Sequence, residues 1–430
     1  MTAKRESPSG ASPFAACIVS VIIFIGVHLV LLIGVTNPEK FVFDEVHYVP
    51  AARQMLEPVM RAPMLNPMHP PLAKQIIALS IRAFGDNALG WRYPGTLFGA
   101  LAVVAIYLCG LAVFGAQREA VACALIAFFN QMLFVMARTA MLDIFALTFG
   151  LFAIAAFLKG FGEQRPHRSF ALAGFAFGLA AACKWSGLFP LGVAIVVIAA
   201  VRLMQSWRTT FGDAKLTDWY RPDLWPDLGA YHFLLCFVLA PALGYLPSFI
   251  ALYGLSPSDI IEAQRRIFSD NTTSAIAGHT YMSSWPSWPF LVRPVWFLFD
   301  KVGDDRIAAV VFLGNPVVLW PALLAIALAM RDWIVSRRRD AFLVLAFYLG
   351  PYLSWALLPR TLGFLYYYLP SATFAALALV YVVRRGPAWL LWAYVALVAI
   401  GFVVMLPISA AFVGTSMEVF NHLMIFQNWI

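Results

Sequence analysis

Residues 41–50 read FVFDEVHYVP, which sets Asp44 beside Glu45, with His47 and Tyr48 close behind, directly after a long apolar run. Neighbouring carboxylates on an extended or irregular segment project in different directions. One can therefore face a substrate while the other orients backbone or accepts a supporting hydrogen bond. A carboxylate at a low-dielectric mouth has its pKa raised towards the range useful to a general base, unless a cation offsets the effect. In isolation the pair would read as a solvated acidic turn. Its company argues otherwise. Arg138 and Asp143 stand in ARTAMLDIF, Lys184 and Trp185 in CKWSGLF, and Arg360 in LLPRTLGFLYYYLP, each at the edge of an apolar run. Ionised groups there must face protein or a wet cavity, since facing lipid near the bilayer centre costs roughly 3 kcal/mol or more. Singly, each cation reads as a side chain snorkelling to the interface. Together with the acids they compose a site for a lipid-bound phosphate: cations hold the phosphate, an acid deprotonates the incoming nucleophile, and the phosphate leaves. No glycine-rich phosphate loop occurs in a suitable context, which favours a lipid-phosphate donor over a soluble nucleotide.

The elements that must position these residues follow from composition. Of 430 residues, 62% are hydrophobic and 12% charged, and the mean hydropathy is +0.78. This is the composition of a polytopic membrane protein. Apolar runs lie at about 14–36, 94–114, 120–136, 142–159, 170–184, 187–201, 232–254, 307–330, 341–358, 364–383 and 388–406. Lipid leaves backbone amides no partner outside their own segment, so each run is expected to be helical, eleven helices in all. The first run is too long for the apolar core of a signal peptide, and no clear small-residue cleavage site follows it. Lys and Arg of the short loops place the N-terminus in the cytoplasm. The hinges carrying Arg138, Lys184 and Arg360 then fall on the same outer face as Asp44 and Glu45. The expected organisation is a single membrane-integral domain over residues 1–430, with the outer loops 37–93 and 255–306 capping the site.

Those two loops hold most of the remaining chemistry. The first contains NPMHPPLAK, with His69 and Lys74, then an amphipathic stretch from Lys74 to Phe84 whose Ile76, Ile77, Leu79 and Phe84 are expected in the headgroup plane. The second contains GHTYMSSWPSWPFLVRPVWF, with His279, and its tryptophans read as an aromatic belt at the interface. The net charge of +8 forms no basic stripe with interleaved aromatics, so nucleic acid is not expected as a partner. The five cysteines lack the paired spacings of zinc sites or disulfide frameworks and read as packing residues. Asp44, Glu45, Asp143 and His69 offer metal-ligand atoms, but without short-range ligand spacing no obligatory metal is expected.

In order along the chain, FDEVHY, HPPLAK, ARTAMLD, CKWSGLF, HTYMSSWPSWP, LGNP and PRTLGFLYYYLP together resemble the protein O-mannosyltransferases over residues 40–370. The resemblance implies an all-α polytopic membrane protein of the GT-C glycosyltransferase fold with about eleven transmembrane helices. It implies transfer of mannose, with inversion, from a polyprenyl-phosphate donor to a Ser or Thr hydroxyl of a protein or peptide. Carried over by position, Asp44 is the general base towards the acceptor, and Glu45 positions the acceptor or supports the site. Arg360 is the first choice for the donor phosphate, with Arg138 and Lys184 behind it, because a planar guanidinium suits that group better than a point charge. His69, Lys74, Asp143, Trp185, His279 and Tyr366 are the expected substrate-binding residues. Where many members read Tyr-His-Tyr, this chain has Tyr366, Tyr367 and Tyr368, which passes any role of that histidine to His279 or His69. The loop of about 50 residues before residue 306 is too short for the β-trefoil domain of eukaryotic relatives, which favours a bacterial or archaeal plasma-membrane enzyme. Membrane lipids are further partners, and a dimer stays open. Two alternatives stand beside this reading: the same donor chemistry with a lipid or cell-surface glycan acceptor, and, ranked lower, an anionic-lipid transporter. Transporters place such charges near the midplane within paired repeats, and neither feature is visible here.

Overall fold

The computed structural model describes residues 12–57, 64–211, 228–272, 278–358, 362–411 and 414–430. The chain begins with α1 (Pro13–Leu32), followed by two short helices, α2 (Glu45–Gln54) and α3 (Leu72–Phe84). A helical core comes next: α4 (Ala88–Phe114), α5 (Gln117–Phe128), α6 (Gln131–Ala137), α7 (Leu142–Phe161), α8 (His167–Cys183) and α9 (Leu188–Phe211). Then come α10 (Ala230–Leu234), α11 (Ala240–Tyr253) and the amphipathic α12 (Pro257–Thr272). A hairpin of β1 (Val295–Lys301) and β2 (Arg306–Phe312) precedes α13 (Pro316–Ser336), α14 (Arg339–Ser354), α15 (Leu369–Val383) and α16 (Ala388–Ser409). The chain closes with β3 (Thr415–Ser416) and α17 (Met417–Leu423).

Among the described residues, eight helices are long and apolar enough to cross a membrane, and the bent pair α5–α6 makes up to nine. The expected runs at 170–184 and 341–358 are also helical, as α8 with 17 residues and α14 with 16. Each of the eleven apolar runs is therefore helical for most of its length. Their burial differs in a way that hydropathy does not show: α7 is mostly enclosed by protein, while α1 and α16 present most of their surface outward.

Close helix approach depends on small residues, because lipid supplies no hydrophobic drive between helices. On α8, Gly174 and Gly178 let the chain around α11 approach until a Cβ would stand 1.9 Å from the Cys236 oxygen and 2.0 Å from the Pro241 oxygen. Elsewhere buried polar side chains do the joining. Asn315, in the LGNP segment, caps α13 by accepting from the Val317 amide at 3.0 Å. Its side-chain amide donates to the carbonyls of Phe129 and Val398, both at 3.0 Å. Its backbone N–H reaches Asn130 Oδ1, the acceptor that also caps α6 at the 67° bend after α5. One asparagine thus ties the bend to α13 and α16, which makes LGNP an architectural joint.

Three local expectations are corrected. The run at 307–330 does not begin as a helix, because residues 306–312 form β2, pairing antiparallel with β1, and the helix starts only at Pro316. The seven apolar residues 307–313 read equally as strand or helix, and Gly314, Asn315 and Pro316 mark where the strand ends and the helix begins. Trp288 is 1% exposed and packs on Trp355 and Tyr367, with its indole N–H on Ser283 Oγ, so this tryptophan belongs to the core and not to an aromatic belt. In α3, Leu79 and Phe84 are exposed as expected, whereas Ile77 is fully buried against the core.

Candidate active site

The chain turns sharply before α2. Phe43 adopts a left-handed φ of +50°, Asp44 stands at the head of the helix without using its side chain as a cap, and Glu45 opens the first turn. The two carboxylates then part. Glu45 is fully buried and saturated: it accepts from Arg92 Nε and Nη2, from the Val42 amide and from the Ala140 amide, all at 2.8 Å. Arg92, 1% exposed, also donates to the carbonyls of Val35, Pro38 and Lys40. This pair pins the 35–45 segment to α4 and to the turn before α7.

Asp44 faces the other way, into a cavity of about 340 Å³ whose wall includes His47, Tyr48, His69, Lys184, His279 and Tyr366. Tyr48, one helical turn on, donates its hydroxyl to Asp44 Oδ2 at 3.2 Å. Burial raises the Asp44 pKa above the ordinary carboxylate value; Lys184 and His47 oppose the rise, while the nearby Asp143 adds to it. The Tyr48 phenol is pushed well up by burial and by Asp44, which keeps it a proton donor in this bond.

Among the described residues, the Lys or Arg that lines both this cavity and a neighbouring one is Lys184, at the end of α8. Its ammonium bonds both oxygens of Asp143, at 2.9 and 2.8 Å, and stands 5.3 and 5.4 Å above the rings of Tyr366 and Tyr367. Beyond it lies an apolar groove of about 310 Å³ lined by Trp185, Leu188, Phe189, Phe268, Trp355 and Leu358. His69, Lys184, Asn271, Thr272 and Tyr367 line both spaces. A chamber holding a carboxylate thus adjoins an apolar groove, with Lys184 among the residues that line both. Trp185 is fixed at the groove wall by a 2.9 Å bond to Tyr245 Oη, which in turn reaches Gln264 of α12.

The structure therefore brings Asp44, His69, Lys184, His279 and Tyr366 to one chamber, with Asp143 paired to Lys184 behind it. It separates three expected residues from that chamber. Glu45 is enclosed by Arg92 and backbone amides. Arg138 donates to the carbonyls of Leu31 and Ile33, at 2.7 and 2.6 Å, satisfying the open end of α1, and it lines a different, smaller cavity beside Arg92. Lys74 is fully buried beneath the His-Pro-Pro loop, where its ammonium bonds the carbonyls of Asn66 and His69 at 2.7 and 2.8 Å. Among the described residues no counter-charge pairs with it, and burial lowers its pKa to about 7. Arg360 lies outside the described residues. The sequence reading missed Tyr48, Arg92 and Tyr367. Of these, Arg92 left a signal, a lone cation at the head of an apolar run in GWRYPG. Among the described residues, no group of three or more His, Cys, Asp or Glu is arranged to hold a metal ion.

Comparison with known proteins places this geometry. A family profile described as dolichyl-phosphate-mannose-protein mannosyltransferase matches residues 68–215. A second, the C-terminal four-transmembrane region of protein-O-mannosyltransferase, matches residues 257–429. The chain is 28% identical over 386 residues to the polyprenol-phosphate-mannose–protein mannosyltransferase of Mycolicibacterium smegmatis, covering 76% of this chain and 73% of that one. It is 27% identical over 396 residues to the protein of the same name from Mycobacterium tuberculosis, covering 77% and 74%. In fold it is similar to the S. cerevisiae Pmt1–Pmt2 complex bound to the sugar donor, with TM-score 0.77 and 14% identity over 98% of this chain and 93% of that chain. ArnT from Cupriavidus metallidurans bound to undecaprenyl phosphate gives TM-score 0.59 and 17% identity over 90% and 70%. With both profiles, the relatives and the fold in agreement, this chain belongs to the protein O-mannosyltransferase family of GT-C glycosyltransferases.

Proposed function

We propose that the chain moves mannose from a polyprenyl-phosphate carrier to a Ser or Thr hydroxyl of a protein, with inversion, on the non-cytoplasmic face of a bacterial or archaeal plasma membrane. The observation that carries the reading is that the Asp44 chamber and the apolar groove lie side by side, with Lys184 lining both. A polyprenyl chain fits the groove, its phosphate meets the ammonium at the junction, and its sugar enters the chamber. Asp44 accepts the acceptor hydroxyl proton. The oxygen attacks the anomeric carbon from the face opposite the phosphate, and the bond from that carbon to the phosphate oxygen breaks. Phosphate keeps the electron pair and leaves as polyprenyl phosphate. Lys184 shares its charge between Asp143 and the phosphate, so the negative charge gathering on the leaving group meets a fixed cation. The family names support the mannosyl donor and the protein acceptor. The described residues act as one membrane-integral domain, and those of the segments 37–93 and 255–306 that line the chamber form its cap.

The test is transfer from labelled polyprenyl-phosphate mannose to a Ser/Thr-rich peptide by the purified protein, against Asp44→Asn. Peptide labelling that is lost in the variant supports the reading. Labelling confined to lipid or glycan acceptors replaces the acceptor, and absence of donor turnover with any acceptor overturns it.

A further inference from the structure

Phe43 carries a φ of +50°. For a bulky aromatic residue this is an outlier that persists only where the surroundings over-determine it. Here they do. Its ring stacks face to face on Phe297, with centroids 4.4 Å apart and planes 2° from parallel. Tyr366 meets it edge-on at 6.0 Å. Phe297 continues the stack onto Phe312, at 5.4 Å and 16°. The sequence pattern gives no hint of this, because Phe297 reaches Phe43 through an irregularity: the register between β1 and β2 shifts between Trp296 and Leu298. A bulge of this kind leaves its extra residue out of the ladder and re-aims its side chain. The Lys40–Asp300 ion pair, at 2.7 Å, ties the same loop to the same strand.

We propose that Phe297, aimed by the β1 bulge, is a positioning residue that clamps Phe43 in its left-handed conformation and thereby directs the Asp44 carboxylate into the chamber. The proposal rests on the reading of Asp44 as the base. Val42 is fixed on one side, since its amide binds Glu45 Oε2, and α2 is fixed on the other. The left-handed step at Phe43 is thus the joint that sends Glu45 into the core and Asp44 into the cavity. Phe297 is 5% exposed and stands behind Phe43, so it acts through that ring and touches no substrate. Tyr366 also lies beneath the Lys184 ammonium. One aromatic stack therefore sets both the base and the lysine at the groove.

The test compares wild type, Phe297→Ala, Phe297→Tyr and Phe43→Gly/Phe297→Ala in the full-length protein, by steady-state mannosyl transfer to a Ser/Thr peptide across a pH series. With Phe297 truncated, kcat falls at least about tenfold while both KM values stay within about twofold, the signature of a misplaced catalytic group. The acid limb of kcat/KM also moves to lower pH, because Asp44 swings out of the seat where Lys184, Asp143, His47 and Tyr48 face it, with His69, His279 and Asp270 on the chamber wall. Phe297→Tyr keeps the stack and the wild-type profile. The double variant recovers part of the lost kcat, since glycine holds a φ of +50° without steric cost. If Phe297→Ala fails to accumulate, Phe297→Leu, which keeps volume but not the flat stack, is read by the same two criteria. An unchanged kcat in Phe297→Ala or Phe297→Leu overturns the proposal. So does a fall in kcat with no shift of the acid limb, which would mark Phe297 as a packing residue only. Asp44→Asn, run alongside, separates the two claims: full activity in that variant removes the base itself, whereas its inactivity beside a normal Phe297→Ala removes only the clamp.

Discussion

Replacing Glu45 with glutamine separates the two acids of the Asp-Glu pair, because the structure turns them into opposite surroundings, Glu45 into the core and Asp44 into the chamber. Glu45 accepts four hydrogen bonds, two from a buried guanidinium and two from backbone amides, all at 2.8 Å. A glutamine keeps one oxygen and turns the other position into a donor. Whichever way the amide is set, two of those four donors then face another donor, and Arg92 loses its counter-charge. Removing one partner of a buried ion pair costs about 3–5 kcal/mol. Arg92 keeps three carbonyl acceptors, so the lower half of that range, about 3–4 kcal/mol, is expected. For a chain of this size that lowers the unfolding midpoint by at least several degrees. The assay is thermal unfolding of the detergent-purified protein followed by tryptophan fluorescence, with transfer measured per folded molecule. Glu45→Gln melts earlier, and its folded fraction retains more transfer than Asp44→Asn does. A variant that melts with the wild type yet is as inactive as Asp44→Asn would refute the architectural assignment and put Glu45 in the chemistry.

The remaining predictions follow from the same geometry. Asp44→Asn lowers transfer at least about 100-fold, the usual scale for losing a general base, and raises the unfolding midpoint at pH 7. The sign follows from the raised pKa of Asp44: the folded state prefers the protonated acid, so above that pKa ionisation costs stability that the neutral amide does not. For the same reason the acid limb of kcat/KM in the wild type lies above the range of an ordinary carboxylate. Lys184→Met moves that limb further up, since Lys184 opposes the rise, and it weakens donor binding; a limb that stays in place would show that Lys184 and Asp44 do not sense each other. Arg138→Leu costs about 2–4 kcal/mol of stability through its two bonds to the end of α1, while donor KM stays within about twofold. A large rise in donor KM at unchanged stability would return Arg138 to the phosphate.

How much of this was legible in the sequence depends on the kind of signal. The helical bundle was, because spans of apolar residues are imposed by the bilayer and survive any tertiary arrangement. That the segments carrying Asp44, Lys184, His69, His279 and Tyr366 gather at one end was also legible, since topology delivers them there together with those of Glu45 and Arg138. Which way a side chain turns once delivered was not. Arg138 and Lys184 look equivalent as cations at hinges, yet one lies under the open carbonyls of α1 and the other over two tyrosine rings. Glu45 and Asp44 are separated by the backbone angle of the residue before them, which no residue type announces. The β1–β2 hairpin was missed because IAAVVFL, a short apolar run, suits a helix as well as a strand, although Gly314, Asn315 and Pro316 mark a break before the next helix. Its bulge is set by pairing register, a property of two strands together. Lys74 reads as a substrate cation beside His-Pro-Pro, but the same loop folds over it and takes both of its bonds.

A density map of the protein with polyprenyl phosphate bound would show whether the donor sits between Lys184 and Asp44. The lipid chain is expected in the groove lined by Trp185, Phe189 and Trp355, its phosphate within hydrogen-bonding reach of Lys184 Nζ, and the Asp44 carboxylate across the chamber from the phosphate oxygen that carries the sugar. A phosphate seated instead in the cavity beside Arg92 and Arg138, with Asp44 out of its reach, would contradict that placement.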